Sequence, residues 1–237
     1  MSQAPGAADS GPAEFIAFLA GLPTNTGDVP RGTDGDLPAI FDSYATLLTK
    51  WQAKINLVGP ATLPDLWRRH FLDSAQLLPL IPAPLPEGRA RTLVDLGSGA
   101  GFPGLVLAIL RPDLAVTLVE SDGRKAIFLA EAARATLGPA AKDRVSILRA
   151  RAESLDPAPA DIVTARALAP LARLLGLAEH WLSTDSLCLF LKGADAAAEL
   201  TEARKGWTMT VAEHPSLTDP RATILEIRHA SRRQIGR

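Results

Sequence analysis

The sequence predicts an α/β protein: a doubly wound, Rossmann-like sheet of about seven strands behind a helical N-terminal extension. Three observations carry that expectation. From Thr92 onward, short apolar runs alternate with helical patterns, the order that yields parallel strands joined by helical crossovers. A glycine-rich turn links the first apolar run to the first of these helices. Two further strand-like runs stand close together near the C-terminus, near enough to pair antiparallel.

The stretch Thr92 to Arg124 reads TLVDLGSGAGFPGLVLAILRPDLAVTLVESDGR. Thr92 to Leu96 is short and apolar and stops at glycine, as a buried parallel strand should. Gly97, Gly99, Gly101 and Gly104 follow, with only small side chains between them until Phe102. Such a turn bends tightly and lets a ligand approach the main chain. A helical pattern runs from Phe102 to before Pro112, and Ala115 to Val119 forms the next strand. Glu120 ends that strand, placed to accept hydrogen bonds from ribose hydroxyls, with Ser121 and Asp122 directly after it. This is a nucleotide-binding βαβ unit.

The turn fits two templates. Gly99 to Gly104 satisfies the dinucleotide fingerprint G-x-G-x-x-G. Gly97-x-Gly99-x-Gly101, led by Asp95, fits an S-adenosylmethionine site better. A buried carboxylate at Asp95 suits a ligand with an ammonium group and repels a pyrophosphate. Pro103 also removes an amide donor where a pyrophosphate would want one. Two alternatives stay open: a methyltransferase acting on a small molecule or a protein, and an NAD(P)-dependent oxidoreductase.

Residues 1–12 are small and polar, and are expected to be disordered. Glu14 to Leu22 suits a short helix, and Pro23 to Pro38 reads as loop. Ile40 to Trp51 is helical, with Ile40, Tyr44, Leu47, Leu48 and Trp51 on its packed face. A second helix is expected to start at Thr62, with Asp65 completing a capping box. It leads to a proline-rich linker from Pro79 to Arg91. After Glu120, Ser121 or Asp122 caps a helix that Gly138 ends. Strands then follow at Val145–Leu148, Ile162–Ala165 and Leu187–Leu191. Helices are expected at Leu168–Leu182 and near Asp195–Arg204, and the closing hairpin at Thr208–Glu213 and Thr223–Arg228. The resulting division is an acidic leader (1–39), a helical extension (40–90) and a catalytic domain (91–237). Ligands of such sheets lie beyond the strands' carboxyl ends. Asp95 to Gly101, Glu120, Arg149 to Glu153, Arg166 and Lys192 should therefore converge.

Of the bulk properties, charge distribution says most. The net charge is −1, but the first 40 residues hold five acids against Arg31 alone, leaving the remainder at +3. Clusters at Arg68-Arg69-His70, Arg149 with Arg151, and Arg228 to Arg237 could meet phosphate. A single cysteine, Cys188, excludes an internal disulfide and suits a reducing compartment. No apolar run approaches the ~20 residues of a membrane span, and no signal pattern opens the chain. A soluble, cytoplasmic protein with no membrane partner is expected.

Beyond the glycine turn, several segments match one family together. The chain resembles the RsmG family, also called glucose-inhibited division protein B. The segments are Trp51 to Leu57, Arg69-His70-Phe71-Leu72-Asp73-Ser74, Asp95 to Gly104, Arg151-Ala152-Glu153, Thr164-Ala165-Arg166-Ala167 and Leu191-Lys192-Gly193. Two departures, Gln52 and Val58-Gly59, lie away from the glycine turn. The resemblance implies a class I S-adenosylmethionine-dependent methyltransferase fold. It also implies methylation of N7 of a guanine, guanine 527, in the 530 loop of 16S rRNA, acting on that RNA or on the small ribosomal subunit. Carried over by position, Gly97, Phe102, Glu120, Ser121, Asp122, Ala152, Glu153 and Arg166 would contact the cofactor. Asp95, Gly99 and Gly101 belong to the same turn. Arg166 and Lys192 are the candidates for catalysis at the site mouth, and no metal is implied. His70 and Asp73 are expected to brace the extension, and Trp51, Trp67 and Phe71 to lie in the core. A monomer is expected.

Overall fold

A computed structural model of the chain describes residues 11–23, 37–86 and 89–233. Of the expected disorder over residues 1–12, residues 1–10 fall outside these, as does most of the expected loop from Pro23 to Pro38; Gly11 and Pro12 instead open the first helix. Helix α1 spans Gly11–Ala20 and α2 spans Leu37–Gln52. In α2, Tyr44 and Leu48 are fully buried, as the helical spacing requires, but Leu37 and Phe41 complete the buried stripe. Ile40, Leu47 and Trp51 flank it, partly buried. Phe41 wins because α1 lies over that side: the Phe15 and Phe41 rings meet edge to face, 4.7 Å apart.

The second helix does not start as expected. Pro60–Asp65 is a 3-10 turn whose N-cap is Gly59, without a side-chain cap. Thr62 does not act as cap; its hydroxyl donates to the Gly59 carbonyl and meets His70. Pro64 inside the turn removes an amide that an α-helix would use. Trp67–Leu72 follows as a π-helical turn, then the short α3, Asp73–Ala75.

Strand β1 (Arg91–Leu96) enters the sheet, followed by α4 (Gly104–Leu110), β2 (Leu114–Val119) and α5 (Gly123–Leu137). Asp122 caps α5, accepting from the Arg124 and Lys125 amides. Gly138 ends α5 as expected, taking φ +56° at its C-cap, and a separate 3-10 turn and the short α6 (Ala141–Arg144) follow. The remainder is β3 (Val145–Leu148), β4 (Ile162–Arg166), α7 (Leu171–Ala178), β5 (Leu187–Lys192), α8 (Ala196–Gly206), β6 (Trp207–Pro215) and β7 (Thr223–Arg232). Pro170 keeps α7 from starting at Leu168.

Among the described residues, seven strands form one sheet in the order β3-β2-β1-β4-β5-β7-β6. The first five are parallel, and β7 inserts antiparallel between β5 and β6. The strand order reverses at β1 and β4, where a crevice opens in such sheets. One hydrophobic cluster runs from Phe15, Phe41 and Phe71 through Leu105 to Leu118 and Leu189, so the N-terminal helices share a core with the sheet.

Candidate functional site

Register sets the site. Leu96 pairs with Val119 and Ala165, Val119 with Leu148, and Arg166 with Leu191. The parallel strands therefore end nearly flush. Gly97, Glu120, Arg149, Arg166 and Lys192 emerge along one edge.

The turn after β1 is pinned to the end of β2: the Gly97 and Ser98 amides both donate to the Val119 carbonyl. Gly97 has φ +68°, and a Cβ there would lie 2.6 Å from the Leu168 side chain. Gly101 has φ +89°, and a Cβ would collide with the Tyr44 hydroxyl. That hydroxyl donates to the Ala100 carbonyl at 2.5 Å, so α2 holds the turn from outside.

Asp95 stands behind this turn, not in the crevice. It is fully buried; Oδ1 accepts from the Thr164 hydroxyl at 2.9 Å and Oδ2 from the Gly104 amide at 3.2 Å. Burial pushes its carboxyl up to about 6 against the Thr164 and Gly104 hydrogen bonds. Here Asp95 ties β1 to β4 and to the start of α4. It also occupies the amide that a pyrophosphate would need at that helix start, which counts against the dinucleotide template.

Three cavities meet at this edge. One, of about 390 Å³, is lined by Gly97, Gly99, Glu120, Ser121, Ala152 and Glu153 among others. A second, about 380 Å³, is lined by Gly97, Gly99, Phe102, His70, Thr62 and Arg166. The third, about 460 Å³, opens toward Arg166, Lys192 and the β6–β7 turn. Ala167 lines all three and takes the left-handed φ of +52°, uncommon for alanine. Asp95, Gly101 and Asp122 line none of them. Glu120 is almost enclosed, its two oxygens accepting from the Gly99 and Asp122 amides at 2.9 and 2.7 Å. Each oxygen keeps a lone pair for a diol.

Arg166 spans the crevice and the extension. Its guanidinium donates to Asp73 at 3.0 Å and to the Arg69 carbonyl, and lies 4.9 Å over the Phe102 ring. Nη2 also lies 2.9 Å from His70 Nδ1. A guanidinium only donates, so Nδ1 is the acceptor. Burial, with the Arg166 and Arg69 charges, lowers His70 to about 3, so the ring is neutral. Its proton is therefore on Nε2, donating to Thr62 Oγ1, which in turn donates to Gly59. His70 also stacks on Phe102, rings 4.9 Å apart. Lys192 is nearly buried, bonded to Glu199 at 2.6 Å and to the Ala169 carbonyl at 2.8 Å. Neither cation is a free surface charge. Cys188 lies buried within β5, where burial pushes its thiol up to about 12.

Sequence reasoning missed Tyr44, Thr62, Thr164 and Glu199 as parts of this edge. Two left a trace: Thr164 opens the Thr164-Ala165-Arg166-Ala167 segment, and Glu199 is an acid in the first turn of the helix that follows Lys192.

The strand order, glycine turn, Glu120 and adjoining cavities define a class I S-adenosylmethionine-dependent methyltransferase. A family model described as rRNA small subunit methyltransferase G, GidB, matches residues 38–227. Curated relatives named ribosomal RNA small subunit methyltransferase G agree. The Paramagnetospirillum magneticum protein is 57% identical over 190 residues, covering 80% of this chain and 87% of its own. The Rhodospirillum centenum protein is 55% identical over 197 residues, covering 82% and 86%. Among solved structures, the pyocyanin biosynthetic protein PhzM shares the fold, with a TM-score of 0.54 at 16% identity over 76% of this chain and 61% of that one. So does a chain of the fibrillarin/Nop5p complex, at 0.51 and 16% over 70% and 82%. The chain belongs to the rRNA small subunit methyltransferase G family. It is an rRNA methyltransferase of the small subunit, and S-adenosylmethionine is its cofactor.

The residues fit that cofactor. Glu120 faces a cavity of ligand size with acceptor capacity for a ribose, and bare main chain at Gly97 and Gly99 lines the join to the next cavity.

Proposed function

We propose that this protein methylates N7 of a guanine in the 530 loop of 16S rRNA, within the small ribosomal subunit or its precursor. It would act as a cytoplasmic monomer. The observation that carries the reading is the junction at Ala167, where two cofactor-lining cavities meet a third, open recess. Among the described residues lining that junction, no imidazole is free to act as a general base. His70, the one imidazole among the described lining residues, is neutral with both nitrogens engaged. Asp73 and Glu199 are held in ion pairs. Guanine N7 carries an in-plane lone pair and loses no proton on methylation, so it needs no base; an exocyclic amine or a hydroxyl would.

S-adenosylmethionine, when bound, supplies an electrophilic sulfonium methyl. The chain's own part is positioning, worth roughly 7–11 kcal/mol of barrier when the reactants are well aligned. Glu120, Ser121, Ala152 and Glu153 would hold the nucleoside end, and Gly97 with Phe102 the other. Arg166, fixed by Asp73, His70 and the Arg69 carbonyl, sits between cofactor and RNA. Among the described residues, no helix is long and apolar enough to cross a membrane.

The test is the modification itself. Small-subunit RNA from cells lacking this protein should lose the 7-methylguanine chain-cleavage signal in the 530 loop. Tritium from S-adenosylmethionine should enter small subunits taken from those cells. An undiminished cleavage signal overturns the proposal.

A further inference from the structure

The recess of about 460 Å³ beside Arg166 is lined by three ion pairs: Arg166 with Asp73, Lys192 with Glu199, and Arg69 with Asp219, at 3.0, 2.6 and 3.4 Å. Each cation is matched by an acid. A phosphate is bound best by uncompensated cations. A neutral, flat heterocycle with donors and acceptors along its edge suits paired charges instead.

One of the three pairs keeps unused hydrogen-bonding capacity. Lys192 Nζ donates to Ala169 and Glu199, leaving its third proton unassigned. Glu199 Oε2 accepts from Lys192 and from the Leu171 amide at 2.7 Å. Glu199 Oε1 has no hydrogen-bond partner among the described residues, and the side chain is 23% exposed. The pair therefore offers a donor beside an acceptor. Guanine presents the complement, O6 as acceptor beside N1–H and the N2 amine as donors. Adenine reverses it, with a donor at N6 and a lone pair at N1.

We infer that Lys192 and Glu199 read the Watson–Crick edge of the target guanine in this recess, Lys192 at O6 and Glu199 Oε1 at N1–H and N2. This rests on the guanine-N7 reading above and adds how the base is chosen. N7 lies on the far side of O6 from N1, so this grip leaves it free to be methylated. The geometry makes both residues specificity determinants.

The test uses full-length enzyme and small subunits reconstituted with guanine, inosine or adenine at the target position. Single-turnover methyl transfer is measured, with digestion to identify the methylated base. The parent enzyme should favour guanine over inosine, which lacks the N2 amine, by about tenfold, and over adenine by a hundredfold or more. Glu199→Gln should bring the guanine-to-inosine ratio toward one while leaving S-adenosylmethionine affinity unchanged. A parent enzyme indifferent to inosine, or an unchanged ratio in Glu199→Gln, overturns the inference. If Glu199→Gln no longer binds S-adenosylmethionine, the parent enzyme's three-base series decides alone. Should the parent form no 7-methylguanine on guanine subunits, the underlying reading fails, and the inference with it. Where 7-methylguanine forms but the ratios do not respond, only the inference fails.

Discussion

His70 and Asp95 are two buried titratable groups whose effects on stability oppose each other as pH falls. His70 titrates near 3 in the fold and near 6.5 unfolded, so its contribution is full above 6.5 and is lost as pH drops. Asp95 titrates near 6 in the fold and near 3.8 unfolded, so its burial penalty is full above 6 and is relieved as pH drops. Between about pH 6 and pH 4 the folded state holds one extra proton at Asp95 and lacks one at His70, and the two slopes cancel. Asp95→Asn should unmask His70: relative to the parent, stability falls as the pH drops over that range, by on the order of 1 kcal/mol per pH unit. His70→Gln should show the opposite slope, of similar size. Urea midpoints at pH 6, 5 and 4 check this, and slopes of the same sign in both variants would contradict it.

At the scale of elements, helix α2 and the glycine turn form one unit. Tyr44 reaches from α2 to the Ala100 carbonyl, and Gly101 faces the same hydroxyl. Gly101→Ala should weaken S-adenosylmethionine binding by more than tenfold, because the new methyl strains φ and collides with Tyr44. Tyr44→Phe alone should cost about 1–3 kcal/mol of stability, since it leaves a buried carbonyl unpaired. In the double variant the clash with the hydroxyl is relieved, although the new methyl still meets Leu105 Cβ at 2.9 Å, so calorimetric affinity should fall by less than the two single losses combined; strict additivity would separate the two residues. The turn itself was legible, because four glycines in eight residues mark it in any context. Its clamp was not, because Tyr44 lies 56 positions away and reads as one more apolar residue on a helix face.

Across the whole molecule, the N-terminal helices are built into the catalytic half. Phe15 packs on Phe41, Trp67 and Phe71, and Phe71 on Phe102 at 5.9 Å. Arg68 bonds Glu14 of α1 and the Leu217 carbonyl of the β6–β7 turn, while Asp73 accepts from Thr218 in that same turn. Phe15→Ala should cost about 3–5 kcal/mol. Unfolding should stay a single transition, with helical signal and S-adenosylmethionine binding lost at the same urea concentration. Loss of the helical extension ahead of binding would show the two halves to be separable.

By itself the sequence determined the alternation of strands and helices with its closing hairpin, the glycine turn, Glu120 at the end of β2 and the family. Those features rest on local patterns: alternation of apolar runs, glycine spacing and short motifs that read the same in any surroundings. The tertiary structure alone decided that Asp95 braces the turn, that Thr62 takes part in a chain from Arg166 to Gly59, and that Lys192 answers to Glu199. A side chain's role depends on which partners arrive from distant strands and helices, and on how much water they leave. Neither is written in the spacing of one segment.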